Sequence, residues 1–148
     1  MLRPYIESVI VSTMIVAAAV LAAVVAAVVW WNTPELHVDT GTQPAVAHME
    51  LLGEYPSDIR SIEITRDDQA APIWKIVARG DRFQIHSVPL ALGDNPSEVH
   101  LFWGESRRVV PESTTTFRLE AGVAYRMAVC PASLLGLCRS TRFTLEPR

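Results

Sequence analysis

The sequence predicts a mainly β protein, with one N-terminal transmembrane helix followed by a small β-sandwich of about seven strands. A long uncharged apolar run stands near the start, and short stretches of alternating apolar and polar residues fill the C-terminal part. Clusters of Gly, Pro, Asp and Asn separate those stretches. At 148 residues the chain is about one domain long, and much of its 49% hydrophobic content is concentrated in the first run.

The helix is expected over residues 8–31. No charged residue occurs from Ser8 to Pro34, and between Val9 and Trp31 the only polar side chains are Ser12 and Thr13. A helix over that segment is roughly 34 Å long, against roughly 30 Å of bilayer hydrocarbon. Every face is apolar, whereas a soluble core helix would show a polar stripe. The bilayer is thus the first expected partner. A cleaved secretory signal is the rival reading, with Val25 and Ala27 ahead of a cleavage point at Val28. Trp30 and Trp31 favour an uncleaved anchor, because indoles prefer the membrane interface and here close the run. Ala19, Ala23 and Ala27 recur four apart, a spacing that suits helix self-association but also arises by chance in so alanine-rich a segment.

Orientation follows from the flanking charge. Arg3 precedes the run, and no Lys or Arg follows it until Arg60. Residues 1–7 are therefore expected in the cytoplasm, and the C-terminal part outside it, in the periplasm if the cell is bacterial. Residues 32–58 carry Glu35, Asp39, Glu50, Glu54 and Asp58 without a Lys or Arg, punctuated by Pro34, Pro44 and Pro56, and read as an acidic stalk. A short helix over Ala45 to Leu52, stopped by Gly53, would place Val46, Met49 and Leu52 on one face.

The β domain is expected over residues 59–148. Ile62 and Ile64 alternate with polar neighbours, and Asp67-Asp68 marks a turn. Ile73 to Arg79 and Phe83 to Val88 flank Gly80-Asp81, a hairpin signal. Gly93-Asp94-Asn95-Pro96 reads as a connection, followed by a strand in which Val99, Leu101 and Trp103 alternate with His100 and Phe102. Beyond Pro111 come Phe117 and Leu119, then Tyr125, Met127 and Val129, then Phe143 and Leu145. The intervening Ser113 to Thr116 suits a strand edge.

Leu119, Gly122 and Tyr125 stand at a spacing that resembles the passage between the fifth and sixth strands of fibronectin type III domains. The resemblance covers about residues 116–145. Ala121 stands where that family usually carries a proline. It implies an immunoglobulin-like sandwich in which Tyr125 forms a structural corner, its ring in the core and its hydroxyl bonded back to the preceding turn.

Cys130 and Cys138 lie in the part expected outside the cytoplasm, where a disulfide persists; two buried thiols are the alternative. If Val123 to Cys130 and Cys138 to Leu145 pair as a hairpin, Tyr125, Met127, Val129, Phe143 and Leu145 face the core. The two cysteines then sit opposite each other on the outer face. Closing so short a loop adds roughly 2.5 kcal/mol in the chain-entropy model. The same register sets Arg126 opposite Arg142, so either a bulge shifts it or an acidic partner relieves the repulsion. Two such guanidinium groups suit an acidic partner surface or phospholipid head groups, although ordinary surface arginines look the same in sequence.

No motif announces chemistry. The Cys-x7-Cys spacing matches no common zinc pattern, and His37, His48, His86 and His100 are scattered singly. The glycines are dispersed, so no phosphate-cradling loop is expected, and neither a cofactor nor nucleic acid is implied. The expected function is a noncatalytic, membrane-anchored domain that binds another envelope protein or forms part of a membrane complex. A membrane-tethered inhibitor or immunity-type protein is the alternative within that class, and an enzyme without a recognisable motif is the alternative outside it.

Overall fold

A computed structural model describes residues 3–31, 33, 35–39, 46–52, 58–112 and 115–147. Helix α1 spans Arg3–Trp31 and is followed, among the described residues, by ten strands, more than the seven or so expected. They are β1 (Glu35–Asp39), β2 (Val46–Leu52), β3 (Asp58–Arg66), β4 (Pro72–Gln84) and β5 (Ser87–Ala91). Then come β6 (Gly93–Pro96), β7 (Trp103–Val110), β8 (Thr116–Leu119), β9 (Ala124–Pro131) and β10 (Arg139–Thr144). All pairings are antiparallel: a five-stranded sheet ordered β10-β9-β3-β4-β7, a three-stranded sheet β1-β2-β5, and the pair β6-β8.

The sheets bury one shared cluster. Ile62, Ile64, Trp74, Ile76, Tyr125, Met127, Val129 and Phe143 enter it from the large sheet, and Ala47, Met49, Leu51, Val88 and Leu90 from the three-stranded one. The β6-β8 pair adds Phe117 and Leu119, with Phe117 stacked on Trp74 at 5.3 Å between ring centroids. The Trp74 indole N–H donates to the Ser97 carbonyl at 2.9 Å, which meets the hydrogen-bonding demand of a buried indole. Asn95 is buried on β6; its amide accepts from the Ala91 N–H at 2.7 Å and donates to the Ala91 and Gly93 carbonyls.

Within the stretch expected as a stalk, residues 35–39 and 46–52 are strands of the domain. They contribute β1 and β2, and β2 buries Ala47, Met49 and Leu51 completely or nearly so. The short helix expected there is also overturned, Gly53 lying outside the described residues. A helix would have used the spacing of Val46, Met49 and Leu52, but the pairing of β2 with β1 on one side and β5 on the other selects the two-residue period. Glu50 and His48 then point outward, which explains polar residues among the apolar ones.

Gly80-Asp81 is not a hairpin turn. Strand β4 runs through it, pairing with β3 at Ser61↔Val77 on one side and at Ile59↔Phe83 on the other. The extra residues protrude as a bulge, because both flanks hold the same partner and the chain never reverses. At Ile85-His86 the chain leaves the large sheet and enters β5, splitting the stretch expected as one strand from Phe83 to Val88. Gly93 to Pro96 is strand β6 rather than a connection. The strand expected over Val99 to Trp103 is absent; Val99 and Leu101 pack against the core from an irregular segment, and β7 starts only at Trp103.

The last hairpin has the expected register. Tyr125 pairs with Phe143, Arg126 with Arg142 and Val129 with Arg139, which brings Cys130 and Cys138 together in a disulfide on the outer face.

Candidate functional site

Leu119, Gly122 and Tyr125 form a corner between β8 and β9. Tyr125 is buried, its ring stacks on Phe143 at 5.7 Å between centroids, and its hydroxyl accepts a hydrogen bond from the Glu120 N–H at 2.8 Å. Gly122 turns the chain at φ +69°, a conformation that costs a residue without a side chain least, and its N–H donates to the Leu145 carbonyl at 2.9 Å. Each polar group of the corner is used internally, so these residues build the fold.

Arg126 and Arg142 are brought together by the β9-β10 register, and no bulge separates them. An acidic side chain answers their repulsion: Arg142 Nε lies 3.0 Å from Asp67 Oδ2. The Asp67 backbone N–H is anchored on the Ala124 carbonyl at 3.0 Å, so the carboxylate is carried at the end of β9's partner strand. Arg126 is exposed and makes no ion pair with a described residue. The sequence flagged Asp67 only as a turn residue, since its relation to Arg142 needs β3, β9 and β10 in their final order.

A groove of about 500 Å³ opens where the β4 bulge meets the start of β7, lined by Arg79, Gly80, Asp81, Arg82, Trp103, Gly104 and Glu105. Arg82 of its lining pairs with Asp58, which also accepts from Gln84 Nε2 at 2.7 Å. The Arg82 guanidinium lies 5.6 Å from the Trp103 ring centroid, a cation–π contact, and Arg79 is 3.9 Å from Glu105. Charge in the groove is thereby largely matched in place. Sequence reasoning missed it because the bulge looks locally like a hairpin turn.

Among the described residues no three His, Cys, Asp or Glu side chains are grouped to hold a metal ion. The apolar helix carries the other candidate feature. Val11–Trp31 is 21 residues long, none of that window is buried against the domain, and Trp30 and Trp31 are 75% and 88% exposed at its end. Ala19, Ala23 and Ala27 are exposed along it, so that surface is uncovered within one chain. Comparison with known proteins returns no matching family model, no matching curated protein and no matching solved structure.

Proposed function

We propose that the chain is a single-pass membrane protein that holds a noncatalytic β domain on the extracytoplasmic face, where it binds another envelope protein or forms a structural part of a membrane complex. The observation that carries this reading is an apolar helical stretch of 21 residues that is not buried in the protein's own core. Exposing such a helix to water costs about 25 cal/mol for each Å² of apolar surface, so it needs a hydrocarbon environment. The Cys130–Cys138 bridge supports an oxidising compartment for the domain, and Arg3 ahead of the helix supports a cytoplasmic N-terminus. Several charged side chains of the domain pair with one another at its surface, as in Arg66 with Asp68 and Glu120, and Lys75 with Glu63, which suits recognition rather than acid–base chemistry.

Two measurements test the reading together. A reporter enzyme that works only outside the cytoplasm, fused after Arg148, should be active, and the fusion should remain in the membrane fraction after carbonate washing. Crosslinking in intact cells should then recover a stoichiometric protein partner. A soluble product beginning near Val28, or activity of a cytoplasm-only reporter, overturns the anchored, exported topology.

A further inference from the structure

Outside the helix, the large apolar side chains left exposed among the described residues are Phe102, Trp103, Leu134, Leu135 and Leu137. They come from two segments far apart in sequence, and the sheet brings both to one end of the domain. Leu134 to Leu137 lie in the loop between β9 and β10, which the disulfide closes at its base. That loop leaves β9 with the Ala132 N–H donating to the Asp58 carbonyl at 2.9 Å; Asp58 pairs with Gln84, and Gln84 with Trp103. The Phe102 N–H donates to the Gln84 carbonyl at 2.8 Å. The apolar side chains thus line a rim three strand spacings wide, about 14 Å, across one end of the large sheet.

The membrane-spanning helix terminates at the same end of the sheet. Thr33, two residues past Trp31, donates its hydroxyl to the Val29 carbonyl at 2.6 Å and accepts the Leu137 N–H at 3.2 Å. This hydrogen bond ties the leucine loop to the helix terminus. Strand β1 begins four residues after Trp31, a reach of at most about 14 Å even when fully extended, so the domain has no room to stand away from the bilayer. The opposite end exposes no large apolar side chain among the described residues: Asp67, Asp68, Gln69 and Ala70 are exposed there, and Arg66, Glu120 and Arg142 join ion pairs.

We propose that this end of the domain is a second membrane contact, with Leu134, Leu135 and Leu137 inserted among the acyl chains next to Trp30 and Trp31, and Phe102 and Trp103 resting at the head-group level. The inference rests on the anchored reading above, and the occupant it commits to is the bilayer that the chain's own helix crosses. Leucine suits the hydrocarbon, while aromatic rings suit the interface, and Arg82 over Trp103 keeps its charge toward the head groups. The rim lies level with the helix end, which gives the domain a fixed attitude on the surface and turns the polar end outward.

The test uses the full chain in phosphatidylcholine–phosphatidylglycerol vesicles, with a benzophenone side chain introduced singly at Val20, Leu135, Phe102 or Gln69. Illumination should give lipid adducts at Val20, Leu135 and Phe102, each at least five times the yield at Gln69. Adducts at Val20 with only the Gln69 level at Leu135 and Phe102 overturn the second contact while leaving the anchor intact. Their absence at Val20 overturns the anchored reading itself. Adducts at Leu135 but not Phe102 overturn the two-segment rim. Because all four replaced side chains are exposed, each labelled protein should unfold at the temperature of the parent chain, which shows that a negative result does not arise from misfolding.

Discussion

Gly104 and Gly80 sit on opposite walls of the same groove and do different work. Gly104 has φ +84°, and a Cβ there would stand 2.8 Å from the Arg82 carbonyl oxygen and 3.0 Å from the Phe83 Cα, both backbone atoms that cannot swing aside. Gly80 has an ordinary φ, and nothing lies within 4 Å of a Cβ built on it. Gly104→Ala should therefore cost about 2–3 kcal/mol in urea unfolding, whereas Gly80→Ala should be neutral or stabilising by up to about 1 kcal/mol. Equal effects would mean that the close approach of β7 to the bulge is not maintained in solution. At this scale the sequence was an uneven guide. Tyr125 was legible because its partner lies five residues away, at Glu120, and the corner is a local motif. The acidic partner of Arg142 was not, because Asp67 reaches it only across two strand pairings.

Strand β2 shows how an element can be misread although its residues are informative. Val46, Ala47, Met49, Leu51 and Leu52 satisfy a helical spacing and a strand spacing alike over so short a span, and nothing within the segment decides between them. Neighbours decide: β1 and β5 supply ladder partners on both sides, and the core accepts Ala47, Met49 and Leu51. Met49→Ala should destabilise the domain by about 2–5 kcal/mol in chemical denaturation, the usual cost of truncating a fully buried side chain, while His48→Ala on the outer face should change stability by less than about 0.5 kcal/mol. A stalk would tolerate both equally well. The β9-β10 hairpin is the contrasting case. Its short connection, alternating core residues and paired cysteines all specify one register, and that register is the one formed.

For the whole molecule, the interdependence of the sheets sets the limits of the domain. Among the described residues strand β5 pairs only with β2, so a chain beginning at residue 59 would leave Val88 and Leu90 on a strand without its ladder partner. A fragment of residues 33–148 in mild detergent should give dispersed amide resonances and a cooperative thermal transition, and a fragment of residues 59–148 should give neither. Cooperative folding of the shorter fragment would show that β1 and β2 are an accessory layer. What the sequence by itself determined is whatever depends on short separations: a helix apolar on every face, alternating strands, the tyrosine corner, and the disulfide hairpin with Arg126 facing Arg142. Tertiary structure alone decided that strands β1 and β2 join the core, that Gly80-Asp81 bulges instead of turning, and that Phe102, Trp103 and the leucine loop share the end of the sheet where the helix ends. The physical reason is that a period of 2 or 3.6 residues records which side chains seek burial, whereas the choice of ladder partner, and hence which exposed groups become neighbours, depends on pairings between segments distant in the chain.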